Sequence, residues 1–372
     1  MKLTSFSVRL LSAATLTSLL LACNRNTDPQ PAASLYTDGV FVLNSGNFTD
    51  NNGTLSWLPR TGSTAQTNLF QVRNGRPLTG GVAGYVEAGN RGLILVDNSA
   101  AGLDKVEIVT ADSLRSVKTL ASPDIENPRA AARISDTKVY VTCWGATGSS
   151  PFYVNPGYIA VVDLASNTVT KRITLQKGAE GVTVVGNEAY VTGQGGERII
   201  QVIDTQTDAL KTSIAVTGSI SPLVVDANGK LWGTQGKNVV RIDPATKAIE
   251  ATIPVGTSNS ANSSASSPSG LVASADGRSL YYKYTSYDAN YNPVGQIYRF
   301  GITDATITPT APVFNRTFTG LTGLGFDTKS NVVYAGVTPS YKQAGYVYRY
   351  QATGQLIDSV RVEIAPTAFF IK

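Results

Sequence analysis

The sequence contains no histidine and only two cysteines in 372 residues. The absence of histidine excludes Ser-His-Asp and Cys-His nucleophilic centres and the common histidine-containing zinc sites. Once Cys23 carries a lipid, as its context suggests below, Cys143 is the one remaining thiol, so no disulfide within the chain is predicted. The formal net charge of +5 is too small and too scattered to indicate a nucleic-acid-binding protein.

The N-terminus has the pattern of a secretory signal. A segment with Lys2 and Arg9 and no acid precedes a short apolar run over residues 10–21, which leads into Leu-Leu-Ala-Cys. This pattern predicts a lipoprotein signal peptide over residues 1–22, cleaved before Cys23, whose sulfur then carries a lipid. An ordinary signal peptide with an incidental cysteine is the alternative. A spanning helix is not favoured, because it needs about 20 apolar residues.

The segment after Cys23, NRNTDPQPAAS (24–34), is polar and contains proline, which is typical of a flexible tether. We therefore predict a signal peptide (1–22), a lipidated cysteine with its tether (23–35) and a folded domain (36–372). Asn24 stands where aspartate would signal retention in the inner membrane. The predicted location is the outer membrane, at the cell surface or on the periplasmic face.

A repeat runs through the folded part of the chain, which shows no helical pattern. Each aligned copy is followed by an alternating apolar strand that ends in Asp163, Asp204 or Asp243, and each of these aspartates is predicted to cap a turn. The aligned copies are KVYVTCWGATG (138–148), EAYVTGQGGER (188–198) and KLWGTQGKNVV (230–240).

The period of the repeat predicts the fold. Units of about fifty residues with four short strands each, in a glycine- and proline-rich chain, indicate an all-β, seven-bladed β-propeller of four-stranded blades. The first unit lacks an inner strand, so residues 368–372 are predicted to pair beside residues 39–44 and close the ring. The anchor residues of the seven second strands are Phe41, Ile94, Tyr140, Tyr190, Trp232, Tyr281 and Tyr334.

Loops between the second and third strands of each blade share one face of a propeller, and the long ones here are rich in aromatic and amide side chains. Such a mixture suits a large, uncharged, partly flat ligand, but also a protein interface or rings that only fold their own loops. The predicted ligand-binding residues are Asn44, Asn47, Phe48, Asn98, Trp144, Tyr153, Asn155, Gln194, Gln235, Tyr284, Tyr287, Tyr291 and Tyr341.

No catalytic residue, metal site or cofactor is predicted. The segment DANYN (288–292) has the spacing that begins a calcium loop, but Pro293 replaces the required glycine and Arg299 stands where a bidentate glutamate is needed. Cys143 ends a strand and is predicted to be a buried, small apolar residue rather than a nucleophile.

Several stretches resemble one known family. They are VFVLNSGNF with GTLSWL, DNS at 97–99, PRAAARISDTKVYVTCW, VVDANGKLW and GYVYRYQATGQLIDSVRVEIAPTAFF. Together they look like a family of surface lipoprotein propellers that is related to YncE-like propellers. The characterised members of this lipoprotein family are the BtuG-type proteins. The resemblance runs from about residue 36 to the C-terminus.

The resemblance implies a function. BtuG-type proteins capture vitamin B12 and related corrinoids and pass them to a TonB-dependent transporter of the outer membrane. The chain is therefore expected to be a non-enzymatic, lipid-anchored capture protein for a bulky nutrient. A propeller scaffold for protein–protein interaction at the cell envelope is the alternative. A propeller enzyme such as a lactonase or lyase is disfavoured, because those usually need a metal or histidine cluster in the channel.

Overall fold

The computed structural model describes residues 35–147, 153–256, 267–287 and 293–372. The predicted signal peptide, the lipidation at Cys23, Tyr291 and the calcium-like segment 288–292 lie outside the described residues. Within those ranges, no helix is long and apolar enough to cross a membrane.

One short helix and many short strands make up the described chain. In chain order they are β1 (Gly39–Asn44), β2 (Thr54–Pro59), α1 (Leu69–Asn74), β3 (Gly81–Ala88), β4 (Arg91–Asp97), β5 (Lys105–Thr110), β6 (Ser116–Ala121), β7 (Pro128–Arg133), β8 (Lys138–Cys143), β9 (Tyr158–Asp163), β10 (Thr168–Thr174), β11 (Ala179–Val185), β12 (Glu188–Gly193), β13 (Ile199–Asp204), β14 (Ala209–Ala215), β15 (Val224–Val225), β16 (Leu231–Gln235), β17 (Asn238–Asp243), β18 (Ala248–Pro254), β19 (Ser267–Ala273), β20 (Ser279–Tyr287), β21 (Pro293–Gly301), β22 (Phe318–Thr319), β23 (Leu321–Asp327), β24 (Val332–Val337), β25 (Tyr346–Gln351), β26 (Leu356–Arg361) and β27 (Pro366–Ile371).

The strands form seven antiparallel sheets in a ring, so the prediction of a seven-bladed propeller is confirmed. Blades two to seven contain four consecutive strands each, beginning with β3, β7, β11, β15, β19 and β23. Blade one is the sheet β27-β1-β2. Its outer edge is extended by a bridge between Trp57 and Gln66 rather than by a full fourth strand. Every predicted anchor residue lies in the second strand of its blade.

The ring is closed by the C-terminal strand, as predicted. Strand β27 pairs antiparallel with β1, with Val40 opposite Ile371 and Leu43 opposite Ala368. Residues 320–325, GLTGLG, help this closure, because a Cβ on Gly325 would lie 2.8 Å from the ring of Phe369. The glycines thus make room for the last strand.

The core lies between adjacent blades. Tyr140, Tyr190 and Trp232 are fully buried, and Tyr281 and Tyr282 are each 1% exposed. Alternation along β20 sends the two neighbouring tyrosines into different interblade clusters, Tyr281 toward blade seven and Tyr282 toward blade five. Burial of rings of this size contributes about 2–3 kcal/mol each.

The turn prediction is also confirmed. Asp163 accepts a hydrogen bond from the backbone N–H of Ala165 at 2.9 Å, and Asp204 and Asp243 accept equivalent bonds two residues on. These carboxylates hold the hairpins between the third and fourth strands.

The prediction that no helix follows the signal was wrong at one place. Helix α1 lies in the connection between blades one and two, where Leu69 and Phe70 are buried. The helix ends at Gly75, which takes the left-handed conformation with φ 69°. Six residues carry less than two turns, too few to produce a helical period in the sequence.

Candidate functional site

The predicted ligand face carries a cavity of about 510 Å³, which we call the channel cavity. Loop residues of blades one and seven form its rim, and inner strands of blades one, two and three form its wall. It is lined by Ser45, Gly46, Asn47, Phe48, Thr49, Gly81, Val82, Ala83, Asp97, Arg129, Tyr341 and Thr367.

A partly buried ion pair lies in the wall of the channel cavity. Asp97 is the last residue of β4, and Arg129 lies on β7, the inner strand of blade three. Arg129 Nη1 donates to Asp97 Oδ2 at 2.7 Å. Inner strands line the channel of a propeller, so this strand position aims the guanidinium at the cavity.

Arg129 is also held from the other side. Its guanidinium carbon lies 3.9 Å from the ring centroid of Trp144, and its Nε is 3.4 Å from Glu180 Oε2. The Trp144 indole N–H donates to the same carboxylate oxygen at 2.9 Å, and the ring of Tyr153 meets the indole edge to face at 4.9 Å. The arginine is therefore pre-organised by side chains from blades two, three and four.

The carboxylate of Asp97 is incompletely satisfied. Oδ1 is buried and has no hydrogen-bond partner among the described residues. Burial raises the pKa of Asp97 to about 6, with the ion pair to Arg129 opposing the rise and nearby Asp104 reinforcing it.

A second cavity of about 320 Å³, which we call the lysine cavity, lies on the same face between blades six and seven. Tyr341 lines both cavities. The lysine cavity is lined by Ser267, Ser269, Lys283, Thr285, Ser286, Tyr287, Val294, Gly320, Leu321, Thr322, Thr338 and Tyr341.

Three of the predicted aromatic residues are about half exposed on this face. Phe48 and Tyr287 are each 53% exposed, and Tyr341 is 52% exposed. Phe48 also borders a third cavity of about 290 Å³, together with Asn98. The predicted residues that the structure brings together around cavities are therefore Asn47, Phe48, Asn98, Tyr287 and Tyr341.

Four predicted ligand-binding residues are buried and serve the fold. Asn44 donates to Ser56 Oγ at 2.9 Å, and Asn98 donates to the Thr79 carbonyl and caps its own turn. Gln235 donates to the Gly218 carbonyl. Tyr284 is 5% exposed and packs against Tyr298. Asn44 and Gln235 end their strands, Asn98 follows β4 directly, and Tyr284 lies within β20, so all four belong to the packed blades rather than to the loop tips.

The remaining predicted residues have other roles or positions. The Asn47 carboxamide accepts hydrogen bonds from the backbone of its own loop. Asn155 donates to the Ala146 carbonyl across its loop. Gln194 is exposed and does not line any of the three cavities. Trp144 packs on Arg129 and Tyr153 packs on Trp144, and neither ring lines the channel cavity itself.

The charged residues of the face are not among the predicted ones, because that prediction rested on aromatic and amide side chains in loops. Arg129 and Glu180 lie on inner strands, and inner strands line a propeller's channel, so that position was the available signal. Asp97 and Lys283 lie on second strands, and the register of strand pairing places them opposite Gly81 and Ser269 at this face. The sequence does not show that register. Among the described residues, no group of three or more His, Cys, Asp or Glu side chains could hold a metal ion.

One family model covers nearly the whole propeller. The family described as a domain of unknown function, DUF5074, matches residues 38–370. The chain belongs to the DUF5074 family. No curated protein matches this DUF5074 chain.

Solved structures share the propeller fold of this DUF5074 domain. A quinoprotein alcohol dehydrogenase-like protein from Bacteroides thetaiotaomicron matches with a TM-score of 0.64 and 16% identity, over 90% of this chain and 78% of that one. Hydrazine synthase from Kuenenia stuttgartiensis matches with a TM-score of 0.55 and 16% identity, over 77% and 88%. The Myceliophthora thermophila Swd1 propeller domain matches with a TM-score of 0.52 and 12% identity, over 76% and 86%. At these identities the likeness shows the fold alone.

Proposed function

We propose that this protein is a non-catalytic binding propeller that holds a bulky nutrient over the channel cavity, with a corrinoid such as vitamin B12 as the best candidate. The observation that carries the proposal is the open cavity of about 510 Å³ that combines exposed rings with one pre-organised Asp–Arg pair. That volume lies within the range of small-molecule sites.

The polar pair fits a carboxamide. An amide carbonyl accepts from the guanidinium of Arg129, and the amide N–H donates to the Asp97 carboxylate, since both side chains line the channel cavity. A corrinoid is a flat macrocycle fringed with primary amides, so it offers these groups beside a surface on which Phe48 and Tyr341 can pack. The family resemblance of the sequence supports the same ligand class.

Binding without chemistry is the simplest use of this face. The sequence has no histidine, and burial raises the pKa of the Cys143 thiol to about 12, which leaves it unreactive. Asp97 pairs with Arg129, and Glu180 accepts from the Trp144 indole and lies beside the same guanidinium, so both carboxylates are engaged in holding the arginine. We therefore propose tight, reversible binding and release.

We also propose a location and a partner. The Leu-Leu-Ala-Cys sequence that ends at Cys23 supports anchoring by lipid to the outer membrane, most simply at the cell surface. A ligand held on an open face can then pass to a TonB-dependent transporter in the same membrane, as the resemblance implies.

Calorimetric titration with cyanocobalamin tests the proposal. Purified protein carrying Cys23→Ala, which removes the lipidated sulfur, should bind at micromolar concentration or tighter, and Phe48→Ala should weaken binding at least fivefold. Leu356→Ala, which removes a similarly exposed apolar side chain outside the three cavities, is the matched control and should bind normally. No heat of binding at micromolar concentration would remove the corrinoid assignment.

One observation favours a protein-binding scaffold as the second candidate. Phe48, Tyr287 and Tyr341 are each about half exposed on one face, and exposed rings are enriched in protein interfaces. Affinity capture from the native envelope distinguishes the two: a stable partner whose cross-links map to these three residues, together with no cyanocobalamin binding, would favour the scaffold.

A further inference from the structure

The lysine cavity has an unusual charge pattern. Of the described residues that line it, Lys283 is the one charged side chain, and no carboxylate is among them. Six of its lining residues are serine or threonine. Lys283 also forms no ion pair with any described residue, unlike Lys138, Lys230 and Lys247. Among the described residues, the cavity therefore offers a cation and hydroxyls with no carboxylate to neutralise the cation.

The fold directs the Lys283 side chain to this position. Lys283 lies on β20 opposite Ser269 of β19, and its ammonium donates to the Thr322 carbonyl on β23 of blade seven. The side chain runs over Gly270, which has φ +61°, and a Cβ there would lie 2.9 Å from Lys283 Cε. The missing side chain at Gly270 thus opens the path by which the ammonium crosses between the blades.

The ammonium has free donor capacity. One of its three N–H groups is directed at the Thr322 carbonyl. The Thr322 hydroxyl is held by the fold, with the Pro366 carbonyl oxygen at 3.0 Å and Thr338 Oγ1 at 2.9 Å, so the other lining hydroxyls are the ones open to a ligand. Burial lowers the pKa of Lys283 to about 8, as expected for a buried cation that lacks a counter-charge. Placing an anion here would supply that counter-charge.

We propose that Lys283 and the surrounding hydroxyls form a subsite for a tetrahedral oxyanion, such as a phosphate group, carried by the ligand of this face. This inference rests on the proposed function, because it places one anionic group on a ligand whose uncharged body lies over the channel cavity. Lysine is a compact point charge that suits phosphate, and serine and threonine hydroxyls donate to phosphate oxygens. Tyr341, which lines both cavities, is the shared wall between the body and the anionic group.

Inorganic sulfate and phosphate are the probes. At constant ionic strength and pH 7, each should raise the melting temperature of the Cys23→Ala protein and bind measurably by calorimetry, whereas acetate and chloride should not. Lys283→Met should weaken sulfate binding at least tenfold. Lys342→Met removes an exposed lysine of the same face and is the matched control for net charge; it should leave sulfate binding within twofold.

The pH dependence tests the same lysine without a variant. The titratable groups that line the lysine cavity are Lys283 and the phenols of Tyr287 and Tyr341. Sulfate keeps its charge between pH 6.5 and pH 9.5, so its affinity should fall severalfold as the pH rises above 8 and the ammonium loses its proton. Ser269→Ala, which keeps the lysine and removes a lining hydroxyl opposite it, should weaken sulfate binding about fivefold and guards against a folding defect in Lys283→Met.

The outcomes separate this subsite from the proposed function. Sulfate binding that is lost in Lys283→Met supports the subsite even where cyanocobalamin does not bind. Equal stabilisation by sulfate and acetate, or sulfate binding that Lys283→Met and Lys342→Met change alike, overturns the subsite and leaves the cyanocobalamin titration to decide the proposed function.

Discussion

The guanidinium carbon of Arg129 lies 3.9 Å from the ring centroid of Trp144, and Nη1 of the same guanidinium donates to Asp97 Oδ2 at 2.7 Å. This stack joins an inner strand of blade three to the loop that leaves the same blade and to the second strand of blade two. A guanidinium that an aromatic ring and two carboxylates already hold in place loses little conformational entropy when a ligand binds. It can therefore contribute more to affinity than a free surface arginine.

The first prediction concerns Arg129. Arg129→Gln should lower cyanocobalamin affinity at least tenfold and destabilise the protein by about 2–4 kcal/mol, because it leaves the buried carboxylate of Asp97 without its cation. Calorimetry measures the affinity, and urea unfolding measures the free energy of unfolding.

Arg133→Gln is the matched control for this variant. Arg133 lies on the same strand but pairs with exposed Asp136, and such surface pairs contribute at most about 1 kcal/mol. If Arg133→Gln and Arg129→Gln lower the affinity equally, Arg129 has no special place in the binding site.

The second prediction concerns the pH dependence that Asp97 creates. Its pKa is about 6 in the folded protein, against 3.8 for an unperturbed aspartate, so the folded state holds the proton more tightly. The contribution of the protonated Asp97 carboxyl to the free energy of unfolding is fully present below pH 3.8 and is lost as the pH rises through 6. Two units correspond to roughly 3 kcal/mol. Asp97→Asn cannot titrate, so the unfolding free energy of the wild type relative to this variant should fall between pH 4 and pH 7.

The measurement is a series of urea unfolding curves for both proteins at matched pH values. Carboxylates elsewhere cancel in the difference between the two proteins, which isolates Asp97. Parallel pH profiles for the wild type and Asp97→Asn would show that this carboxyl is not perturbed.

The fold could be predicted from the sequence because its signals are local and repeated. Seven copies of one anchor position, such as Tyr190 and Trp232, report the period directly, and an unpaired first unit with a spare last strand predicts the closure. The short helix α1 could not be found this way. It occurs once, and its two buried residues, Leu69 and Phe70, carry no repeated pattern.

The site could be predicted only in outline. Loop composition correctly indicated a face with exposed rings such as Phe48 and Tyr341, because aromatic residues at the tips of long loops have few neighbours. Composition did not show that Asn44 and Tyr284 are buried, because both faces of a second strand pack between blades and only the loop beyond the strand reaches the open face. Lys283 reaches its cavity through a gap over Gly270, which depends on how the strands pack rather than on composition.

The third prediction compares two tyrosines near the lysine cavity. Tyr284 lies on β20 of blade six, and Tyr341 lies on the loop after β24 of blade seven. Tyr284 is 5% exposed and Tyr341 is 52% exposed. Tyr284→Ala should cost about 3–5 kcal/mol of stability, because it empties a packed interblade space. Tyr341→Ala should change stability by less than about 0.5 kcal/mol but weaken cyanocobalamin binding at least fivefold.

Each tyrosine variant serves as the other's control in thermal unfolding and calorimetry. A loss of binding in Tyr341→Ala with unchanged unfolding places that ring at the ligand. Unchanged binding in Tyr341→Ala would remove it from the site, and an unchanged melting temperature in Tyr284→Ala would contradict its place in the core.

The fourth prediction concerns ring closure. A Cβ on Gly336 would lie 2.1 Å from the Pro366 carbonyl oxygen at the start of β27, and a backbone atom cannot move aside as the end of a side chain can. Gly336→Ala should therefore displace the last strand and cost about 1–3 kcal/mol in urea unfolding. Gly218→Ala is the control, since the nearest atom to its Cβ would be 4.0 Å away. Strand β27 also carries Thr367, which lines the channel cavity, so Gly336→Ala should weaken ligand binding as well. If Gly336→Ala loses neither stability nor affinity relative to Gly218→Ala, the last strand tolerates the added methyl group.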